Sequence, residues 1–217
     1  MTKVPAAGNV KTRLEKILSA DERIALAECF LLDTVEKAKR IACEKTFVAF
    51  SPPDGAERLK ALLPAEAICV EQRGANLGER MAAAFEDAFA GGPDEIVMIG
   101  TDSPTLPADY IEQAFEHLET NSDAVLGRAE DGGFYLIGLR RPLQNEIFAN
   151  VEWSSRRVFE QVYANIDRAR LHLRETPGWY DVDEPRDLIQ LKEEFAHNEN
   201  ARRRAPHTFE WMKNYLI

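Results

Sequence analysis

Short apolar runs alternate with amphipathic stretches along this chain, and that alternation restricts the fold more than any other feature of the sequence. The candidate strands are the apolar runs Thr46–Phe50, Ala67–Val70, Glu95–Ile99, Ala124–Gly127, Gly133–Leu139 and Leu171–Arg174. The candidate helices have apolar residues at helical spacing and cover Ala56–Leu63, Leu77–Ala90, Pro107–Glu119, Ser154–Ala169 and Glu184–Ala196. This alternation is typical of an α/β fold with a mixed, mainly parallel sheet.

The first helix of the chain is expected to begin at a capping box. Ser19 and Glu22 have the Ser-x-x-Glu spacing, in which each side chain bonds the backbone N–H of the other residue. One apolar face follows, made of Ile24, Ala27, Leu31, Val35, Ala38 and Ile41. The pattern predicts an amphipathic helix that packs on the sheet.

Turns rich in proline and glycine separate the periodic segments, at residues 51–55, 91–94 and 176–178, and each is too short for a domain linker. We therefore expect a single domain over residues 1–217, in which residues 198–217 are a C-terminal extension or helix. Phe209, Met212 and Leu216 would lie on one face of that helix. Such a face suits docking on the body of the protein or contact with a second copy in a homodimer.

Composition excludes several classes of function. The formal net charge of −10 opposes binding to nucleic acid, because Lys and Arg must neutralise phosphates there. No apolar run approaches the roughly 18 residues that a membrane span requires, so we expect no membrane partner and a cytoplasmic location. Cys29, Cys43 and Cys69 lack paired spacing and are interpreted as buried free thiols.

Three carboxylates follow candidate strands, at the positions where ligands bind in open α/β sheets. Asp102 lies in G-T-D-S-P after Glu95–Ile99, Asp131 precedes two glycines, and Asp183 lies in D-V-D-E-P after the last strand. Each has a purely structural alternative. Asp102 could bond its own turn, Asp131 could belong to a simple hairpin, and Asp183 could cap the following helix.

The N-terminal segment is locally basic in an acidic chain and contains Gly8, Lys11 and Arg13. It is not a P-loop, because Val10 stands where that motif needs glycine. The ammonium of a lysine and the bidentate guanidinium of an arginine can still bind the oxygens of a polyphosphate. Together with Asp102 and one later Asp, they have the chemistry of a site for Mg²⁺ and a nucleotide. The histidines lack zinc-ligand spacing, and no G-x-S-x-G motif indicates a hydrolase.

Six blocks of the sequence together resemble one bacterial transferase family. In chain order they are K-V-P-A-A-G-N-V-K-T-R-L (Lys3–Leu14), L-G-E-R-M (Leu77–Met81), G-T-D-S-P (Gly100–Pro104), E-D-G-G-F-Y-L-I-G-L (Glu130–Leu139), W-S (Trp153–Ser154) and D-V-D-E-P-R-D-L (Asp181–Leu188). The family is the one labelled glycosyltransferase associated with radical-SAM and selenium-domain genes, formerly a domain of unknown function. The blocks span nearly the whole chain, in the order that the family has them.

The resemblance implies a GT-A fold, the nucleotide-diphospho-sugar transferase architecture that molybdenum-cofactor and phospholactate guanylyltransferases share. It implies that Lys11, Asp102 and Asp131 act in catalysis, with Asp131 on the acceptor side. It also implies that Asp102 and the weaker candidate Asp183 ligate Mg²⁺ or Mn²⁺. The residues implied to bind the nucleotide are Gly8, Lys11, Arg13, Gly78, Thr101 and Asp102.

The start of the chain departs from the family pattern. The family has an apolar strand directly before the K-V-P block, whereas only Met1 and Thr2 precede Lys3 here. We therefore expect the first strand of the sheet to be missing. No role follows from the resemblance for Trp153 and Ser154.

Two transfer reactions fit these residues, each with a small-molecule acceptor. Glycosyl transfer from a nucleotide sugar is slightly favoured by the family label. Nucleotidyl transfer from a nucleoside triphosphate is favoured by Lys11 and Arg13, since a triphosphate carries more charge to neutralise. A non-catalytic module that senses nucleotides or binds a partner is the alternative from another class.

Overall fold

The computed structural model describes residues 1–6, 10–142 and 145–215. The strands are β1 (Thr2–Lys3), β2 (Phe47–Ser51), β3 (Ile68–Glu71), β4 (Glu95–Ile99), β5 (Ala124–Ala129), β6 (Phe134–Arg140) and β7 (Leu173–Trp179). The helices are α1 (Ala20–Arg40), α2 (Ala56–Leu62), α3 (Leu77–Ala90), α4 (Ala108–Asn121), α5 (Val158–Arg168), α6 (Pro185–His197), α7 (Glu199–Arg204) and α8 (Pro206–Tyr215).

The chain divides into two compact units, each made of several stretches of sequence. The first contains Met1–Cys69, Thr101–Ala108 and Asp181–Ile217, and the second contains Val70–Gly100 and Asp109–Tyr180. The strands form a three-stranded sheet in the order β1-β2-β3 and a four-stranded sheet in the order β4-β6-β5-β7.

A short first strand is present in the first unit, so the expectation that this strand is missing is wrong. Thr2 and Lys3 pair in parallel with Phe50 and Ser51 of β2. The N–H of Val4 extends this pairing with a bond of 2.8 Å to the carbonyl of Ser51. Two residues are too few to show an apolar alternation, which explains why the sequence pattern did not predict them.

The core of the first unit lies between β2 and helices α1 and α2. Its buried side chains are Val4, Leu31, Val35, Val48, Phe50, Leu59 and Leu63. Full burial of one such side chain stabilises a fold by about 1.5–3 kcal/mol. The capping box of α1 is confirmed, because Ser19 and Glu22 bond each other's backbone N–H groups.

Helix α1 also buries a second face that the sequence pattern did not predict. This face includes the apolar Leu26 and Phe30, but also the charged Asp33 and Lys37. Asp33 is completely buried and accepts bonds from the backbone N–H groups of His207 and Thr208, each 2.9 Å long. The hydroxyl of Thr208 donates a third bond of 2.5 Å to Asp33. A buried carboxylate on α1 thus anchors the N-terminus of α8.

The four-stranded sheet of the second unit is mixed. β6 runs antiparallel to both β4 and β5, whereas β5 and β7 are parallel. Antiparallel pairings therefore outnumber parallel ones in this sheet, which differs from a mainly parallel arrangement. The reason is the short connection between β5 and β6, since only a crossover of a dozen or more residues can join parallel neighbours.

Most elements lie where the sequence predicts them, and two differ for clear reasons. α5 begins at Val158 rather than at Ser154, because Ser154 has φ of 72° and interrupts a helix. β7 continues through the predicted turn at residues 176–178. Proline is tolerated there because β7 ends the described sheet order, where a missing N–H costs no ladder bond.

The cysteines are free thiols, but they are not all buried as predicted. Cys43 is exposed in the loop after α1, and Cys29 and Cys69 are partly buried. Among the helices in the described residues, none has the length and hydropathy that crossing a bilayer requires.

Candidate active site

Lys11 is the centre of the candidate site in the first unit. Its backbone has φ of 46° and ψ of 41°, a left-handed conformation just before the short helical turn Thr12–Leu14. The side chain is 5% exposed, and its ammonium donates to Oδ1 of Asp102. It also donates to the carbonyl of Val182 at 2.7 Å and to Oδ1 of Asp183 at 3.1 Å. All three protons of the ammonium are therefore bonded to oxygen.

The two carboxylates keep one side open to solvent. The side chains of Asp102 and Asp183 are 49% and 40% exposed, so each retains oxygen lone pairs for another ligand. Burial alone would lower the pKa of Lys11, but the carboxylates of Asp102 and Asp183 outweigh it and raise that pKa above its ordinary value. Lys11 is thus a firmly protonated cation between two anions.

Backbone bonds hold the two acidic segments side by side. The N–H of Val182 donates to the carbonyl of Asp102 at 2.8 Å. The hydroxyl of Ser103 donates to Oδ1 of Asp181 at 2.5 Å, so this second acidic residue of D-V-D-E-P fastens the G-T-D-S-P loop. Thr101 precedes Asp102 in the same bend and is half-buried. The predicted association of Asp102 with Asp183 is observed, and Lys11 links them.

The helix-capping alternative for Asp183 is wrong. The N-cap residue of α6 is Glu184, which forms a capping box with Asp187. Asp187 accepts the backbone N–H groups of Asp183 and Glu184 at 3.0 Å and 2.7 Å. The Glu184 side chain in turn accepts the N–H of Asp187, so the capping box caps the helix without Asp183, whose carboxylate is available to Lys11.

Arg13 lies in the short helical turn after Lys11 and is solvent-accessible. Its side chain is 62% exposed, and a carboxylate oxygen of Glu184 lies 3.9 Å from its guanidinium. An exposed ion pair at that distance contributes little to stability. The guanidinium can therefore exchange this partner for a phosphate. Gly8, which the family resemblance implies as a nucleotide-binding residue, lies outside the described residues.

Asp131 belongs to the second unit and has the hairpin role that was its structural alternative. It is exposed in the turn between β5 and β6, and its Oδ1 accepts the N–H of Gly133 at 2.8 Å. Gly132 has φ of +95°, and a Cβ there would lie 2.2 Å from the carbonyl oxygen of Arg156. Both features shape a tight turn, and the catalytic role of Asp131 stays a prediction.

Gly78 and Trp153 form a contact within the second unit that sequence reasoning missed. A Cβ on the buried Gly78 would lie 2.6 Å from Cζ2 of the Trp153 ring, so only glycine admits the ring. This contact gives L-G-E-R-M and W-S a shared structural role. The nucleotide-binding role of Gly78 stays a prediction.

The same two residues line a cavity of about 490 Å³. Its polar walls are bonded among themselves, Asn76 to Glu79 at 2.7 Å and Asn145 to Glu86 at 2.9 Å.

Asp102 and Asp183 have the chemistry of ligands for a divalent ion. In the described part of the chain, no cluster of three or more His, Cys, Asp or Glu side chains has metal-binding geometry. Mg²⁺ usually takes only one or two protein carboxylates and completes its shell with phosphate and water. Two half-exposed carboxylates that already share one cation match that pattern.

Comparisons with known proteins agree with this fold. A family model described as "Uncharacterized protein conserved in bacteria (DUF2064)" matches residues 34–155. A crystal structure from Desulfovibrio desulfuricans G20, provisionally described as a nucleotide-diphospho-sugar transferase, is 31% identical with a TM-score of 0.89. That match covers 98% of this chain and 91% of the other. The predicted nucleotide-diphospho-sugar transferase fold is confirmed.

Two further relatives are more distant or shorter matches. A 3-phospho-D-glycerate guanylyltransferase of Phenylobacterium zucineum (strain HLK1) is 33% identical over 138 residues, which are 60% of this chain and 61% of that protein. The 4-diphosphocytidyl-2C-methyl-D-erythritol synthase of Anaerococcus prevotii DSM 20548 has a TM-score of 0.59 at 12% identity, covering 90% and 94% of the two chains, and shows the fold alone. From the family model and the 31% identical structure, the chain belongs to the bacterial family DUF2064.

Proposed function

We propose that this protein is a transferase that uses a nucleotide-activated donor, and that it transfers a nucleotidyl group from a nucleoside triphosphate to a small phosphorylated acceptor. The observation that carries the proposal is the position of the Lys11 ammonium, bonded at once to Asp102 and Asp183. Two carboxylates around a cation, next to the exposed Arg13, supply what a polyphosphate and its counter-ion require.

A divalent ion fits the carboxylate pair. Asp102 and Asp183 offer the hard oxygen ligands that Mg²⁺ and Mn²⁺ prefer. When bound, such an ion neutralises charge on the phosphate oxygens of the donor. The Lys11 ammonium and an ion cannot occupy the same space between these oxygens. We therefore expect Lys11 to exchange its carboxylate partners for phosphate oxygens, with Arg13 as a second phosphate contact.

The reaction proposed is attack on the α-phosphorus of the triphosphate. An oxygen of the acceptor forms the new bond to phosphorus, the bond to the bridging oxygen of the β-phosphate breaks, and pyrophosphate leaves. An acceptor oxygen that belongs to a phosphate group is already ionised, so no base is needed to remove a proton. Lys11 and Arg13 would hold the leaving group by charge-assisted hydrogen bonds.

The guanylyltransferase from Phenylobacterium zucineum supports this choice of reaction and donor. This chain spans about three fifths of that relative's length, so its substrates are brought here as a proposal. GTP and 3-phosphoglycerate are the first pair to test. The acceptor class we infer is a small acid that carries a phosphate group.

Glycosyl transfer from a nucleotide sugar is the second candidate. It is supported by the 31% identical structure, which is described as a nucleotide-diphospho-sugar transferase. In that reaction the acceptor attacks the anomeric carbon, and a nucleoside diphosphate leaves. The carboxylate pair and Lys11 would serve the diphosphate in the same way. The two reactions therefore differ in the product that is released.

The deciding experiment measures released products with Mg²⁺, with Mn²⁺ and with EDTA. Each of the four nucleoside triphosphates is supplied with 3-phosphoglycerate, and GDP-sugars and UDP-sugars are supplied in parallel. Metal-dependent release of pyrophosphate supports nucleotidyl transfer, and release of nucleoside diphosphate supports glycosyl transfer. If no donor is turned over and none shifts the melting temperature, the transferase proposal fails and the non-catalytic alternative takes its place.

A further inference from the structure

Lys37 of α1 has a buried ammonium for which the proposed reaction has no use. Its side chain is on the second buried face of α1, and the residue is 4% exposed. The ammonium donates to the carbonyl of Pro104 at 2.9 Å and to the carbonyl of Ser103 at 3.4 Å. These are the two residues directly after Asp102.

A buried lysine at this position is costly for the fold. Burial lowers the pKa of Lys37 to about 7, which shows how strongly its surroundings disfavour the charged form. A methionine of similar length would fill the space without desolvating a charge. What a methionine cannot do is donate hydrogen bonds, so the two carbonyl contacts are the distinctive property of Lys37.

These contacts complete the attachment of the loop that carries Asp102. On one side, the segment from Asp181 to Asp183 holds the loop through the Ser103 hydroxyl and the Asp102 carbonyl. On the other side, Lys37 holds the next two carbonyls. The backbone that directs the Asp102 carboxylate is therefore fixed from two independent elements.

We propose that Lys37 is a positioning residue, which fixes the G-T-D-S-P loop so that the Asp102 carboxylate is oriented for a divalent ion. This inference rests on the proposed function, because it assigns Lys37 to the ion site of the same reaction. Lys37 acts through Asp102 and does not itself contact donor or acceptor. Its loss should weaken ion binding without changing how the phosphates meet Lys11 and Arg13.

The alternative hypothesis is that Lys37 has only a structural role in the fold. The contacts of Asp33 provide a control, because their role is structural. Asp33 lies one helical turn earlier on the same face and is also fully buried. Its hydrogen bonds go to His207 and Thr208 of α8, not to the Asp102 loop. A variant that weakens the Asp33 contacts should therefore cost stability alone. Thr208→Val is a mild form of that change, because it removes one hydroxyl bond.

The experiment compares Lys37→Met, Lys37→Gln and Thr208→Val with the unchanged protein. Mn²⁺ affinity is measured at saturating GTP from the electron paramagnetic resonance signal of free Mn²⁺. GTP affinity is measured separately in EDTA, and the melting temperature is recorded for each variant. We expect Lys37→Met to lose about tenfold in Mn²⁺ affinity, with metal-free GTP affinity within twofold of the unchanged protein. Lys37→Gln retains an amide NH2 group as a donor and should lose only about threefold.

Each outcome decides the proposal. Thr208→Val should melt at a lower temperature and keep its Mn²⁺ affinity; if it loses as much Mn²⁺ affinity as Lys37→Met, the role of Lys37 is only structural. Unchanged Mn²⁺ affinity in both Lys37 variants overturns the inference while the proposed function stands. If Lys37→Met does not fold, Lys37→Gln decides, since a normal affinity in it also overturns the inference. Failure of the unchanged protein to bind Mn²⁺ with any of the four nucleoside triphosphates rejects nucleotidyl transfer and this inference together.

Discussion

The Nζ atom of Lys11 lies 3.1 Å from Oδ1 of Asp183, although 172 positions separate the two residues in the chain. The same ammonium is bonded to Asp102, and its position is 4.8 Å from the centroid of the Phe30 ring. The Lys11 ammonium, surrounded by oxygen atoms and the face of an aromatic ring, therefore occupies the carboxylate site as its cation. Any second cation that uses the same carboxylate oxygens must displace it.

Lys11→Met should therefore have opposite effects on two ligands. Mn²⁺ should bind the variant more tightly than the unchanged protein when nucleotide is absent, because the competing ammonium is gone. GTP should bind more weakly by roughly ten- to a hundredfold, the usual effect of losing a charged hydrogen bond worth about 1.5–3 kcal/mol. Titration calorimetry of each ligand alone measures both effects.

The control for Lys11→Met is Lys39→Met, which removes a lysine of the same unit that pairs with Glu66 at the surface. It should change neither affinity. If Lys11→Met binds nucleotide-free Mn²⁺ no better than this control does, the ammonium does not compete with the ion.

Asp102→Asn should abolish Mn²⁺-dependent GTP binding and leave the fold intact. The amide keeps the shape of the side chain but loses the negative charge that a divalent ion requires. The backbone bond from Val182 to the Asp102 carbonyl is unaffected by the change, so the loop should stay in place. We expect a melting temperature within about 4 °C of the unchanged protein, which corresponds to a change of less than about 1–2 kcal/mol in the free energy of unfolding.

The matched control is Asp109→Asn, which changes an exposed aspartate seven positions later in the chain. Undiminished Mn²⁺-dependent binding in Asp102→Asn would falsify the assignment of the ion site.

The candidate site was in large part predictable, because its residues follow strands. Asp102 and Asp183 were identified from their places after β4 and β7, and the bounds of α3 and β4 agree with the apolar pattern. The contact of Lys11 with both carboxylates was not predictable. The contact joins residues that are far apart in the sequence, and a local sequence pattern does not predict contacts of that kind.

Lys37 and Asp33 were missed for a different reason. The apolar residues of a helix indicate which of its faces is buried. A face that also contains two charged residues is therefore predicted to be exposed to solvent, although it is buried here. Leu26, Phe30, Asp33 and Lys37 recur at helical spacing. This spacing is the signal in the sequence that could have placed the two charged residues on the same face as the two apolar ones. The contact of Gly78 with Trp153 is likewise a long-range packing relationship that one sequence does not reveal.

The pKa of Lys37 predicts how stability changes with pH. The folded protein holds this pKa at about 7, below its ordinary value of 10.5, so between these values the unfolded chain binds more protons than the folded one. The stability penalty of Lys37 is therefore fully present below pH 7 and is relieved as pH rises. The unchanged protein should gain up to about 1.4 kcal/mol per pH unit relative to Lys37→Met over that interval.

Urea unfolding of the two proteins from pH 6 to pH 9 measures this difference. Titrating groups that do not interact with Lys37 contribute equally to both proteins and cancel in the comparison. The charged groups that act on Lys37 are Asp33 and Arg40 of α1, Glu194 of α6 and Arg204 of α7. Curves that stay parallel across the whole range would show that Lys37 has no lowered pKa in solution.

Gly78→Ala tests whether this glycine serves the Trp153 ring or the nucleotide. A Cβ would lie 2.6 Å from Cζ2 and 3.0 Å from Cε2 of a rigid ring, so the ring or the helix must move. Overpacking of this kind costs about 1–3 kcal/mol, against roughly 1 kcal/mol gained from the better helix propensity of alanine. We expect a net loss of stability in urea unfolding.

In a Trp153→Leu background the clash is absent, so the same Gly78→Ala change should become neutral or stabilising. GTP affinity of the double variant then separates the two roles. If it equals that of Trp153→Leu alone, Gly78 exists to admit the ring, and a further loss would instead support its predicted place in the nucleotide site.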